Sequence, residues 1–519
     1  MLNLPLFILD EEDITSEAAA YTFTLSDYTL PTAWTGLHLV VLVNAASPDA
    51  VAERDLEWTF NGASSAFNEQ IFKGSSSSKS AARASSQAAM TLGTIPGTSV
   101  HASAVGGGMF LLADYADTAR HKTLLGFSGA AENSVVGGVG RWGSTAAVTS
   151  ITVAPSSGNF AIGSRFVLAL VDERYRVQAD VKTDDLETFD FQNIPALTGQ
   201  LVILGLLRSD NADTRDSLDI ALNNDTTGYY GMQSMRGDST ILAGQSIANR
   251  EINNASIAGD NATAAVFGVS VTTVTQYGLA VNDPDILHVA GVHESTGPAS
   301  RLWVVSGRRN NVEAINRFAF TPGSGTNFMS GSALWLYHVP RRDVRRFFES
   351  GGGAAEAVFS DLPAGEALVI SVYARSDNAA INTGGIRVEF NSDTTPGNYD
   401  RQRLLTAAST TTADQSGSNP ATLDAQGADD GANRFAGGQI IVFAFSKTDR
   451  HKHTLTFGDR AESNVIVAST RWESTAAITS VKLIPNGGEW VDGTVIEVSV
   501  VPSLASQTVT RKTHSTVTT

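Results

Sequence analysis

Arg141-Trp142-Gly143-Ser144-Thr145-Ala146-Ala147-Val148-Thr149-Ser150 returns 330 residues later as Arg471-Trp472-Glu473-Ser474-Thr475-Ala476-Ala477-Ile478-Thr479-Ser480. The offset holds without a gap on both sides. Arg120-His121-Lys122 meets Arg450-His451-Lys452, and Ala131-Glu132 meets Ala461-Glu462. Pro155, Gly158 and Gly163 meet Pro485, Gly488 and Gly493. A diverged copy lies between them: Arg308, Ala314, Ile315, Phe318, Phe320, Pro322 and Gly325 keep the spacing of Arg141, Ala147, Val148, Ile151, Val153, Pro155 and Gly158, with Arg309 in place of the Trp. A fixed internal period marks tandem copies of one unit.

The front halves agree. Leu30-Pro31, Ile194-Pro195 and Leu362-Pro363 each precede an alternating strand, at Leu37–Val43, Leu201–Leu207 and Ala367–Tyr373. Strands ending at Asn61, Asn223 and Asn391 follow, and then Phe67/Gln70, Tyr230/Gln233 and Tyr399/Gln402. The predicted units are 1–173, 176–341 (diverged) and 350–502, with a C-terminal arm at 503–519.

Val148 to Val153 and Ile478 to Leu483 alternate apolar and polar residues, the period of a strand with one buried face. Pro155 and Gly158 then turn the chain back into Arg165–Leu170. About eight such segments fit each unit. No 12-residue run has a helical period, and Asp343–Ser350 is the best short helix candidate. The expected fold class is all-β: three tandem antiparallel β-sandwich, jelly-roll-like domains. Between the Gln strand and the next strand, polar stretches (Ser75 to Gly108 and Ser409 to Gly431) read as long loops that supply contact surface.

A formal charge of −17 argues against a general nucleic-acid binder. With no cysteine, disulfides, thiolate metal sites and thiol catalysis are excluded. The N-terminal MLNLPLFILDEED lacks the basic start of a signal peptide, and no run reaches the roughly 20 apolar residues of a membrane span. The expectation is synthesis in a host cytoplasm without secretion and no membrane partner.

The Arg-Trp-x-Ser-Thr-Ala-Ala strand, its Pro-x-x-Gly hairpin and the Phe-Asn…Tyr-x-x-Gln segment resemble a domain of tailed-bacteriophage virion proteins, often labelled tail-fibre-like. The resemblance is specific in the first and third copies and degenerate in the second. It implies a non-enzymatic virion structural protein on the particle exterior, tail-fibre or baseplate-associated, with other virion proteins as partners. Two alternatives stay open: a capsid decoration protein, and a carbohydrate-binding host-attachment module using polar loops with Tyr229 and Tyr230.

No catalytic residues, cofactor or metal site is expected. His451 and His453 share a strand face and read as a surface strand rather than a metal pair. His288 and His293 near Asp283 and Asp285 read as a loop. Gly138-x-Gly140-x-x-Gly143 lacks the strand-to-helix context of a dinucleotide site. Arg236-Gly237-Asp238 reads as a turn. Arg141/Trp142 and Arg471/Trp472 read as the rim of each core, with Glu132 or Glu462 pairing the guanidinium.

Overall fold

A computed structural model describes residues 4–28, 38–130, 133–225, 230–239, 241–249, 252, 255–280, 282–294, 300–340, 346–379, 385–417, 421–460 and 463–504. The first copy carries twelve strands: β1 (Leu6–Asp13), β2 (Tyr21–Thr24), β3 (His38–Ala45), β4 (Glu53–Phe60), β5 (Phe67–Ser75), β6 (Ser78–Gln87), β7 (Met90–Pro96), β8 (Gly106–Ala113), β9 (Lys122–Gly129), β10 (Ser134–Trp142), β11 (Ser150–Pro155) and β12 (Arg165–Val171). Eight form one antiparallel sheet in the order β1-β12-β3-β8-β9-β10-β5-β6, and four form a second, β2-β11-β4-β7. The second and third copies repeat both orders strand for strand. The fold is thus three tandem β-sandwiches, as expected, with twelve strands per copy rather than about eight.

The additional strands come from the stretches read as loops. Ser78–Gln87 is a strand hairpinned to β5, and Met90–Pro96 is the edge of the small sheet. Thr410–Ser416 and Ala421–Asp424 do the same in the third copy. The polar composition of Ser78–Gln87 and Thr410–Ser416 fits an edge strand whose side chains are largely exposed or part-exposed. The third sandwich also starts earlier than position 350. Arg346–Glu349 pairs with Val495–Val498, so this part of the helix candidate is a strand. Asp343 to Arg345 lies outside the described residues, as do Leu30-Pro31 and 505–519 of the arm.

The small sheets behave as the alternation predicts. In β11, Ile151, Val153 and Pro155 are buried while Ser150, Thr152 and Ala154 are part-exposed. The large sheets do not alternate. All eight residues of β3 are buried, as are all seven of β12. Leu39, Val41, Val43, Phe166, Leu168 and Leu170 face the first sandwich's own core. Val40, Leu42, Val167, Ala169 and Val171 face the other way, into a second core drawn from all three copies. Separate cores fill the second and third sandwiches.

The three units are therefore not beads on a string, as a rod or a plate of separable lobes would require. They pack large sheet to large sheet around a common centre. Phe127 meets Phe457 of the third copy edge to face at 4.7 Å, and Phe72 lies 6.0 Å from Phe127. A Cβ on Gly74 would come within 2.7 Å of the third copy's Leu404. At this position a bare glycine lets two copies approach.

Candidate interaction surfaces

The repeated residues singled out in the sequence do two different jobs. Asn61, Asn223 and Asn391 end their strands in the left-handed region, at φ 53°, 51° and 50°. Asparagine tolerates that conformation because its short amide bonds locally. Asn61 Oδ1 accepts from the amides of Thr149 and Ser150, and its Nδ2 donates to the Ala147 carbonyl at 2.8 Å. Asn223 and Asn391 make the same bonds to 316–317 and Ala314, and to 479–480 and Ala477. This explains the pairing of the Asn with the Ala-Ala-x-Thr-Ser stretch.

Each Gln, by contrast, leaves its own copy. Gln70 Nε2 donates to the Ser239 carbonyl at 3.2 Å, Gln233 to Ala408 at 2.8 Å, and Gln402 to Ser76 at 3.1 Å. The acceptors sit at the hairpin turns after the β5 strands, all with φ near 50°. First to second, second to third and third to first: the bonds close a ring of pseudo-threefold symmetry. A second set of contacts also links the copies. Arg120 donates to the Gly331 carbonyl and Arg450 to that of Gly163. The second copy has Asn282 at the corresponding place, beside Gly493 of the third.

The copies also meet through charge. Arg165 donates to Glu366 at 2.6 Å and to Asp13 at 2.7 Å, with both Arg165 and Glu366 buried. Lys447 reaches Asp13 at 2.8 Å. Tyr373 Oη donates to the Asp283 carbonyl at 2.8 Å, and Gln439 Nε2 to Gln200 Oε1 at 3.0 Å. Most of these groups are sealed from water, so removing one partner leaves the other unsatisfied at a cost.

Trp142 and Trp472 are buried in the first and third sandwiches, against Phe60 and Phe67 and against Phe390. Trp472 Nε1 donates to Asp393 at 2.8 Å. In the second copy Arg309 stands at this place and donates to Asp225, the counterpart of Asp393, at 3.0 Å. One acidic acceptor thus serves either an indole or a guanidinium. Arg141 pairs with His121 at 2.9 Å, and Arg471 with Asp400 and Glu473. Glu132 and Glu462, the partners expected from the sequence, lie outside the described residues.

His451 and His453 are buried rather than on a surface and His288 is in a strand, whereas His293 lies in a buried loop just past that strand, as expected. His453 is fully buried where the third copy meets the first, its Nε2 3.0 Å from Ser469 Oγ. His451 is buried beside the first copy's His101, ring to ring at 4.5 Å. His288 lies on the buried strand Asp285–Val292 with Nδ1 2.7 Å from Thr272 Oγ1, and Asp283 holds Arg308. Among the described residues no group of three His, Asp or Glu is placed to hold a metal ion. Burial lowers His38, His288, His293 and His453 to about 3, so each is neutral near pH 7.

The glycine string lies within and just past strand β10, where Gly138 and Gly140 make room for Leu92 and Met90. Tyr229 lies outside the described residues. Tyr230 is buried with its hydroxyl on the Leu222 backbone, so it offers no sugar contact. Arg236-Gly237-Asp238 ends a strand rather than forming a turn, and Asp238 is held by Arg301 at 2.8 Å. That arginine and Arg215 were not singled out in the sequence. Their signal was present, since they stand where the aligned first copy has Ser134 and Glu53.

No family model matches the chain, and no curated protein matches its sequence. Among solved structures, domains LG4-5 of the mouse laminin alpha1 chain align at 12% identity and TM-score 0.15, over 63% of this chain and 89% of that one. The Ruminococcus gnavus IT-sialidase CBM40 aligns at 11% identity and TM-score 0.15, over 32% of this chain and 95% of that one. The NalP translocator domain of Neisseria meningitidis aligns at 9% and TM-score 0.09 over 88% and 91%. Likenesses at this level carry no argument about function.

Proposed function

We propose that this chain is a non-enzymatic structural protein of the exterior of a tailed-phage particle, doing in one polypeptide what three identical subunits would otherwise do. The observation that carries the reading is the closed ring of Gln70, Gln233 and Gln402 bonds, each to the next copy's hairpin. Closed cyclic contacts between like units are the geometry of a symmetric oligomer. Here the covalent chain supplies the symmetry and lets the three lobes diverge.

Such a body suits a threefold position, where three like neighbours can each meet one lobe. The resemblance of the repeat to virion domains supports a particle component, and a threefold axis at the tail, on a fibre or baseplate, is the placement we favour. The extended rod that would also suit a fibre is set aside, because the copies share a core.

Imaging of particles carrying a tag on the described surface turn at Gly351–Gly353 tests this. Density at a threefold-related site of the tail is expected. Density spread over the capsid lattice would contradict the tail placement, and absence from purified particles would contradict the whole reading.

A further inference from the structure

The second copy carries a cleft of ≈ 280 Å³ that closes differently in its sisters. Three arginines converge on it: Arg215, from the strand Arg215–Leu222; Arg236, from Tyr230–Asp238; and Arg301, from Arg301–Arg309. All three share one carboxylate oxygen, Asp238 Oδ2, at 3.8, 4.0 and 2.8 Å. Asp238 alone thus meets three guanidiniums, while Asp213 and Asp216 stand in the same wall. Arg236 Nε is buried with no hydrogen-bond acceptor. Burial, and then the Arg215 cation, bring Arg301 down to about 10 against the pull of Asp238.

The guanidiniums of Arg236 and Arg301 lie 5.2 and 5.9 Å from the ring of Trp303. The indole is itself fixed by a 2.9 Å bond from Nε1 to Ser256 Oγ. Rigid aromatic backing and converging guanidiniums are the parts of a pre-organised oxyanion site.

The aligned positions of the first copy show that the sandwich does not need this charge. There Glu53, Lys73 and Ser134 replace Arg215, Arg236 and Arg301. Lys73 pairs with Glu53, and Ser134 donates to the same carboxylate. Val136 replaces Trp303. In the third copy Leu405 and Asn464 stand at the places of Arg236 and Arg301. A self-paired Lys73 and Glu53 thus close this corner in the first copy, and among the described residues the cluster of three arginines belongs to the second.

The rest of the lining selects among anions. Asn211, Ser217, Gln245 and Ser324 offer amides and hydroxyls, and Asp213 and Asp216 offer acceptors. Asp216 is fixed by the amides of Ser217, Ser324 and Gly325. Two carboxylates in the wall disfavour a dianion such as phosphate, yet they accept well from hydroxyls. A monoanionic carboxylate takes the planar guanidinium fork, and a ring of hydroxyls takes the remainder. The volume is near the lower end of small-molecule sites, which begin at about 300 Å³.

We propose that this cleft binds an acidic saccharide, with Arg236 and Arg301 on the sugar carboxylate, Arg215 adding charge, and the Asn, Gln, Ser and Asp side chains on its hydroxyls. The inference is independent of where on a particle the protein sits.

Calorimetric titration of the full chain with an oligogalacturonate, its carboxyl-reduced neutral counterpart and inorganic phosphate provides the test. The uronate is expected to bind, with the neutral sugar and phosphate much weaker. Arg236→Gln should weaken uronate binding by about ten- to hundredfold, the range of a lost hydrogen bond to a charged group. Arg215→Gln removes the cation without adding a negative charge beside Asp238, so it should keep the melting temperature close to the parental one while weakening binding. No uronate binding by the parent, phosphate or neutral sugar bound as tightly, or uronate binding unchanged in both variants would each overturn the proposal.

Discussion

Phe457 offers a direct handle on the centre of the molecule. It belongs to the third copy but is 1% exposed in the core shared by all three, with its ring edge to face on the first copy's Phe127 at 4.7 Å. Truncating a buried Phe to Ala costs roughly 3–5 kcal/mol in lost transfer and cavity terms. The aromatic pair itself contributes about 0.5–1.5 kcal/mol beyond burial. Against a total stability of about 5–15 kcal/mol for a folding unit, that is a large fraction. Because the lost contact joins two copies, Phe457→Ala should lower one common urea midpoint followed by far-UV circular dichroism. Phe127→Ala should do the same, and the double variant should fall short of the sum by about the pair energy, beyond the ~0.3–0.5 kcal/mol within which independent sites add. If Phe457→Ala releases about a third of the signal early while the rest melts at the parental midpoint, the copies fold independently. That result would refute the shared core.

Trp472→Ala should cost a comparable 3–5 kcal/mol, since the side chain is 3% exposed and its indole holds Asp393. Trp472→Arg combined with Ala476→Glu copies the second copy's arrangement of Arg309 with Asp225 and Glu313, and should recover part of the loss in a thermal melt; no recovery would mean that the two copies do not solve the site interchangeably. Gly74→Val should destabilise through the 2.7 Å approach to Leu404 of another copy, and Leu404→Ala should partly rescue it, whereas a rescue from within the first copy alone would argue against that contact. Acid should destabilise through the buried histidines. Their folded-state values near 3 lie below the ordinary 6.5, so the unfolded chain binds more protons and stability falls as pH drops from about 6.5 towards 3. Replacing His453 with Gln should flatten the slope of unfolding free energy against pH in that window; an unchanged slope would show that it titrates normally.

The repeat, the β class and the strand ends at Asn61, Asn223 and Asn391 were legible because each rests on local chemistry: a period, an alternation, a left-handed turn. The way the copies pack was harder to see. Leu39-Val40-Val41-Leu42-Val43 and Phe166-Val167-Leu168-Ala169-Leu170 are apolar without interruption, the pattern of strands covered on both faces, and reading Leu37–Val43 as alternating hides the second core. The recurring Gln was visible, but its acceptors are carbonyls 169, 175 and 326 residues away in another copy, and a backbone acceptor leaves no side-chain pattern to find. The polar runs at Ser78–Gln87 and Thr410–Ser416 look like loops because an edge strand facing water needs no apolar side. The arginine cleft escaped notice because its members come from three separate strands of the copy whose motif has drifted most.

The central claim is that one chain closes into a single body around a shared core, and small-angle X-ray scattering tests it without mutation. A compact chain of this length has a radius of gyration of about 24 Å by the usual size scaling. Three sandwiches in a row, each about 15–16 Å alone by that scaling and touching as spheres of about 20 Å radius, would give roughly 36 Å. A value near the first, with a single-lobed distance distribution, is the result predicted. A value near the second, with a distribution showing separate intra- and inter-lobe peaks, would contradict it.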